Sequence, residues 1–358
     1  MLMVVFGAGA SYDSIPSRPP PRQRIAGVLG DPISGYRLPL AKELFEDRPL
    51  FNDWLARFEH CQGVIVRLRN ACKAGSLEHE LQKMQDEAKN NPWRHKQLAA
   101  VQFYLQSMLW DCKRELDNDS TTTSTNYKEL LVQIEDSRIQ KNEKICLVTF
   151  NYDTMLEDAL PLVGVEINDL HDYVGNENYK IIKLHGSVNW AHRVAAPIEE
   201  FPDTGDLGVA NEVIERRAEL NILPEFRIIH RPLGGNLALG YPPLEEPLFP
   251  ALAIPVENKR EYEYECPEDH LKALRDFIPE VSKMLLIGWR GTETAFLQSL
   301  KENLRKMVYV MAVNGELAAA KEANDRLCNA GVQGRFEGLE VGFSQFVASR
   351  EVERLLKI

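Results

Sequence analysis

Met1-Leu2-Met3-Val4-Val5-Phe6-Gly7-Ala8-Gly9-Ala10-Ser11 opens the chain, and its reading decides the fold. A short apolar run with adjacent β-branched residues is the pattern of a buried strand, and the glycines after it mark a tight turn. A buried strand that runs into a glycine turn is how a doubly wound α/β sheet begins. Further apolar strands are expected at 145–150, 181–184, 227–230, 284–287 and 307–313. Apolar residues at three-to-four spacing predict helices over 40–58, 77–90, 92–116, 268–277, 294–306, 316–329 and 343–356. Strands that alternate with helices predict an α/β fold, a mostly parallel sheet with helices on both faces.

The first two strands lie too far apart for one crossover, so something is inserted between them. Leu98, Val101, Leu105, Met108, Leu109, Cys112 and Leu116 line one face of a long amphipathic helix. We therefore read a large helical insertion over 50–140, and a Rossmann-type domain from 1–49 and 141–358. The polar run from Asp119 to Asn126 reads as a solvated connection between two helices of the insertion. The stretch 191–262, rich in proline and glycine, is expected to form long loops over the sheet edge. No internal repeat recurs at a fixed period.

Composition removes several classes of function. At 44% hydrophobic and 27% charged residues, the chain of 358 is no disordered polymer. A net charge of −11 gives no global support to nucleic-acid phosphates, so no direct nucleic-acid binding is expected. No apolar run approaches the roughly 18 to 20 residues that span a bilayer, and the opening strand has no basic leader, which predicts a cytoplasmic protein without membrane contact. The six cysteines are never closer than Cys61 and Cys72, so no CxxC pair exists, and isolated, reduced, mostly buried thiols are expected. No metal site is expected.

Chemistry gathers at three predicted strand ends. Gly7-Ala8-Gly9-Ala10-Ser11 follows the first; Thr149-Phe150-Asn151-Tyr152-Asp153 follows the second; Lys183-Leu184-His185-Gly186-Ser187-Val188-Asn189-Trp190 follows the third. Open parallel sheets bind ligands at their carboxyl edge, so the glycine turn, Asn151 and His185 are expected to converge on one crevice. The third glycine of GxGxxG is missing and no acidic residue ends a second strand about twenty positions on, which disfavours hydride transfer. Ser17–Arg24 holds Arg18, Arg22 and Arg24 and reads either as a basic lid over phosphates or as a solvated proline-rich loop. Structural alternatives stand beside each reading: an ordinary turn for the glycines, a helix cap for Asn151 or Asp153, a core histidine for His185.

In combination these motifs resemble the sirtuin-like NAD-consuming proteins of bacteria, especially the branch associated with anti-phage defence. Leu38-Pro39-Leu40-Ala41-Lys42-Glu43-Leu44-Phe45 and Leu285-Leu286-Ile287-Gly288-Trp289 are similar to further elements of that family. The resemblance runs from residue 1 to about 330 and implies a sirtuin-like Rossmann fold that cleaves the nicotinamide–ribose bond of NAD, without a metal. It makes Asn151 and His185 catalytic: Asn151 holds a ribose hydroxyl or the attacking water, and His185 is the general base. It assigns Gly7, Ala8, Gly9, Ala10, Ser11, Asp153, Gly186, Ser187, Gly288 and Asn314 to cofactor binding. NAD depletion in abortive infection is the implied effect, gated by homo-oligomer assembly or by a partner such as a HerA-type ATPase. Two departures matter. The zinc cysteines of sirtuin deacylases are absent from 190–259, which weakens a deacylase reading, and Arg290-Gly291-Thr292 replaces the family's small hydroxyl residue. The competing class is a non-catalytic NAD or ADP-ribose sensor or scaffold subunit.

Overall fold

The computed structural model describes residues 1–20, 33–120, 124–201, 205–235, 244–256 and 264–358. Chain contacts divide it into two compact units: Met1–Ser34, Asp117–Leu184 and Asn258–Ile358 form the first, Gly35–Leu116 and His185–Glu257 the second. The 50–140 insertion expected from the sequence is therefore drawn differently: residues 117–140 fold with the first unit, and the second needs residues 185–257 as well.

Unit one is built on strands β1 (Leu2–Phe6), β2 (Ile145–Thr149) and β3 (Tyr179–Lys183). Three more strands, Lys283–Ile287, Val308–Asn314 and Gly334–Glu340, complete a six-stranded sheet in which every neighbouring pair is parallel. From one edge to the other, the order is β3, β2, β1, Lys283–Ile287, Val308–Asn314, Gly334–Glu340. That is the doubly wound order, 3-2-1-4-5-6 when these six strands are counted in sequence, with its reversal point between β1 and Lys283–Ile287. Nearly continuous apolar strands fit burial on both faces. Met3, Val5, Cys146, Val148, Met284 and Leu286 face helices Glu268–Phe277, Thr294–Asn303 and Leu317–Asn329. On the other side Phe6 packs on Tyr127 of helix Asn126–Lys141 and on Phe343 of helix Phe343–Ala348, with centroids 5.0 and 6.4 Å away. The α/β class and its mostly parallel sheet thus stand as read.

Several local expectations are corrected. Strand Gly334–Glu340 was missed because it is a half-exposed edge strand with alternating polar residues. The single helix expected over 343–356 breaks into Phe343–Ala348 and Val352–Leu356 at Arg350, whose φ is 53°. The helix expected over 40–58 reduces to a short turn at Ala41–Glu43 and a helix that starts at Pro49, where proline suits a first turn. Asn126 is no solvated linker residue: it is buried, and its amide donates to Asp13 O and Ser344 Oγ.

Unit two carries an antiparallel three-stranded sheet in a stretch expected to form long loops, apart from the strand expected at 227–230, which overlaps the observed Ile222–Ile228. Its strands are Gly186–Val194 in the centre, flanked by Ile222–Ile228 and Leu248–Leu252. Pro224 and Pro250 made the flanking segments look irregular, yet proline is tolerated on edge strands. Helix Gly205–Glu215 lies between these strands in sequence, and helix Pro92–Asn118 supplies Gln106, which is fully buried. The Gln106 amide donates to Val188 O at 2.7 Å and accepts from Leu233 N–H at 3.1 Å.

Candidate functional site

The site begins where β1 ends. Gly7 N–H donates to Ile287 O and Gly9 N–H to Gly288 O, so the turn after β1 lies directly against the end of the neighbouring strand Lys283–Ile287. Here the glycines are a steric necessity: a Cβ on Gly7 would meet Gly288 O at 2.5 Å, and one on Gly288 would meet Ala10 N at 2.5 Å. Gly288 also has a φ of 61°, a left-handed conformation that favours glycine. The close glycine contact lies at the reversal point of strand order, where doubly wound sheets open a crevice. The helix that follows, Ala8–Tyr12, is only five residues long.

Asn151 follows β2 and reaches back to this turn. It is 7% exposed, and Nδ2 donates to Gly7 O at 2.9 Å, Ser11 Oγ at 2.9 Å and Tyr127 OH at 3.1 Å. A carbonyl only accepts, so the Gly7 contact fixes which end of the amide faces the turn. These contacts use the amide nitrogen and leave the amide oxygen out. Ser11 Oγ and Tyr127 OH are themselves 2.9 Å apart, which closes a buried cluster of three side chains and one carbonyl. Burial, and next the nearby Asp153 carboxylate, push the Tyr127 phenol well above its usual pKa, so it stays protonated.

Tyr127 had escaped the sequence reading because it directly follows a polar run. Its one signal was the apolar spacing Tyr127, Leu130, Leu131, Ile134, all buried on helix Asn126–Lys141. Lys183 was also missed as a contributor. Its ammonium, with no exposed surface, donates to Asp153 O at 2.5 Å and pairs with Glu157 Oε1 at 2.8 Å. Tyr173 OH donates to the same Glu157 oxygen at 3.0 Å. The loop after β2 is thereby tied to the end of β3.

The remaining expected residues divide. Asp153 Oδ1 accepts from Met155 N–H at 3.0 Å, which closes a local turn in the loop after β2; the helix that follows starts at Glu157 behind Leu156, so Asp153 is not its cap. Asn314 Oδ1 accepts from Glu316 N–H and shapes the turn into helix Leu317–Asn329. Trp289 packs in the core, stacked on Phe150 at 5.7 Å and edge-on to Phe296. His185, Gly186 and Ser187 belong to unit two, where His185 O accepts from Ala253 N–H and Gly186 turns with a φ of 76° into strand Gly186–Val194. Both His185 and Ser187 are buried. Arg18 pairs with Asp119 at 2.9 Å, whereas Arg22 and Arg24 lie outside the described residues. Five of the six cysteines are buried and none is paired, and burial pushes the thiols of Cys61, Cys112 and Cys146 far up, which makes them inert. Among the described residues no group of three or more His, Cys, Asp or Glu gathers as a metal site, and no helix is long and apolar enough to cross a membrane.

No protein-family model matches the sequence, and no curated protein matches it. Solved structures similar to it include a Sir2 homologue bound to NAD, 12% identical over 99% of this chain and 90% of that one, at a TM-score of 0.39. A Sir2–p53 peptide–NAD+ complex is 12% identical over 99% of this chain and 93% of that one, at 0.36. A third, described by the mechanism and regulation of Sir2 enzymes, is 10% identical over 100% and 93%, at 0.37. The doubly wound order described above rests on this chain's own strand register.

Proposed function

We propose that the protein is an NAD glycohydrolase that releases nicotinamide and ADP-ribose. The observation that carries this reading is Asn151: a buried amide pinned by its nitrogen to the glycine turn, beside the reversal point of a doubly wound sheet. Its amide oxygen is the group assigned to a ribose hydroxyl or the attacking water. In the reaction the bond between ribose C1′ and the nicotinamide nitrogen breaks, and nicotinamide leaves as a neutral base with the bonding pair. Water adds to C1′ and loses its proton to His185, the residue directly after Leu184 at the end of β3, acting as general base. Gly7 to Ser11, Asp153, Gly186, Ser187, Gly288 and Asn314 are the residues we assign to NAD binding.

In the same reading NAD depletion in the cytoplasm serves anti-phage defence. An unrestrained NAD hydrolase would harm its own cell, so activity is gated by self-assembly or by a partner such as a HerA-type ATPase. A second reading, a non-catalytic NAD or ADP-ribose sensor, is favoured by one observation: Asp153, Asn314 and the three glycines each have a sufficient structural role.

Nicotinamide release from NAD by the purified chain, alone and with its candidate partner, separates the two. We expect release that falls at least about 100-fold in both Asn151→Ala and His185→Ala, with both variants still folded. NAD binding without release by the wild type would establish the sensor; absence of binding would end both readings.

A further inference from the structure

Resting on the NAD reading above, we propose that Tyr127 is a positioning residue: its hydroxyl donates to Ser11 Oγ and thereby turns the Ser11 hydrogen outward, to an oxygen of the bound nucleotide. The argument is a count of hydrogens. The Asn151 amide brings two, Ser11 one and Tyr127 one, and the oxygens that meet them are Gly7 O, Ser11 Oγ and Tyr127 OH. One amide hydrogen goes to Gly7 O, the other to the hydroxyl pair, and the contact between the two hydroxyls uses a third. The fourth hydrogen has no acceptor within the cluster, and among the described residues neither hydroxyl has a further hydrogen-bond partner.

Which hydroxyl carries the spare hydrogen follows from what each can do with it. The phenolic O–H lies near the plane of a ring that is 1% exposed and wedged against Phe6 at 5.0 Å and Phe343 at 5.6 Å. If Ser11 were the donor, the phenolic hydrogen would be left buried against apolar rings, a state that folded proteins avoid. Serine rotates its O–H about Cβ–Oγ to suit its surroundings, so it accepts from Tyr127 and presents its own hydrogen elsewhere. Ser11 stands one turn after Gly7, next to the reversal point where the ligand is expected. The tyrosine thus acts on the ligand only through the serine.

Calorimetric titration with NAD of the wild type, Tyr127→Phe, Ser11→Ala and the double variant tests this. Phenylalanine keeps the ring packing, and a thermal melt confirms that each variant is folded. Expected are a fivefold to tenfold weaker Kd for Tyr127→Phe, roughly tenfold for Ser11→Ala, and no further loss in the double variant, because one hydrogen bond is involved. Wild-type affinity in Tyr127→Phe, or a Tyr127→Phe loss that persists in the Ser11→Ala background, overturns the proposal while NAD binding stands. No NAD binding by the wild type overturns the NAD reading itself, and this proposal with it.

Discussion

Lys183 shows how much one side chain near the carboxyl edge is asked to hold. A fully buried ammonium is tolerable only while Glu157 and Asp153 O surround it, because both charges have lost their water. Glu157 Oε2 is also buried and has no hydrogen-bond partner among the described residues, so the carboxylate depends on that one cation and on Tyr173. Lys183→Met should therefore cost about 3–5 kcal/mol in urea denaturation, since it leaves an uncompensated buried charge. Adding Glu157→Gln, which removes that charge and keeps an acceptor for Tyr173, should recover most of the loss. Equal loss in single and double variants would contradict the pairing. The glycines at 7, 9 and 288 carry a related lesson: their identity is demanded by backbone touching backbone, a requirement that precedes any ligand.

Among the elements, helix Glu268–Phe277 was legible to the residue, because a strongly amphipathic segment begins after Pro267 and carries Glu268 and Asp269 in its first turn. Its docking supplies a pH dependence. His270 is buried beside Tyr173, and Nε2 donates to Leu170 O at 2.7 Å, a contact that the neutral and the protonated ring can both make. Burial is the main cause that holds its pKa below the usual 6.5; the Leu170 hydrogen bond and Asp269 act in the opposite direction, and His171 adds to the depression. Below about pH 6.5 the unfolded chain takes up a proton that the folded His270 resists. Stability present above that pH is therefore lost as pH falls toward the depressed folded value. In urea midpoints measured against pH, His270→Gln, which keeps a donor for Leu170, should flatten the slope below pH 6.5. A slope identical to that of the wild type would rule out His270 as its source.

For the whole molecule, the relevant fact is that each compact unit is assembled from separate chain segments. In unit two, Gln106 bonds Val188 and Leu233, Gln102 donates to Leu252 O, and Phe103 packs edge-on to Phe249 at 5.6 Å. The helices of 50–116 thus close their core with residues 185–257. A fragment of residues 50–140 expressed alone should show helical circular dichroism without a cooperative melt, since its buried polar groups lose their partners and its apolar face its cover. Dispersed amide resonances and a sharp transition for that fragment would refute this.

Local chemistry was enough to reveal the strands β1 to β3, the strands Lys283–Ile287 and Val308–Asn314, most helices and the residue types at the strand ends. Burial on both faces imposes continuous apolar runs, and amphipathic helices repeat every three to four residues, so both leave a periodic trace. Long-range partnership leaves none. That Tyr127 would meet Ser11 and Asn151, that Lys183 would secure the loop after β2, and that proline-bearing segments 222–228 and 248–252 would flank a central strand were settled by tertiary structure alone. A hydrogen bond or an edge-strand pairing depends on which distant groups arrive together, and no spacing along the chain encodes that arrival.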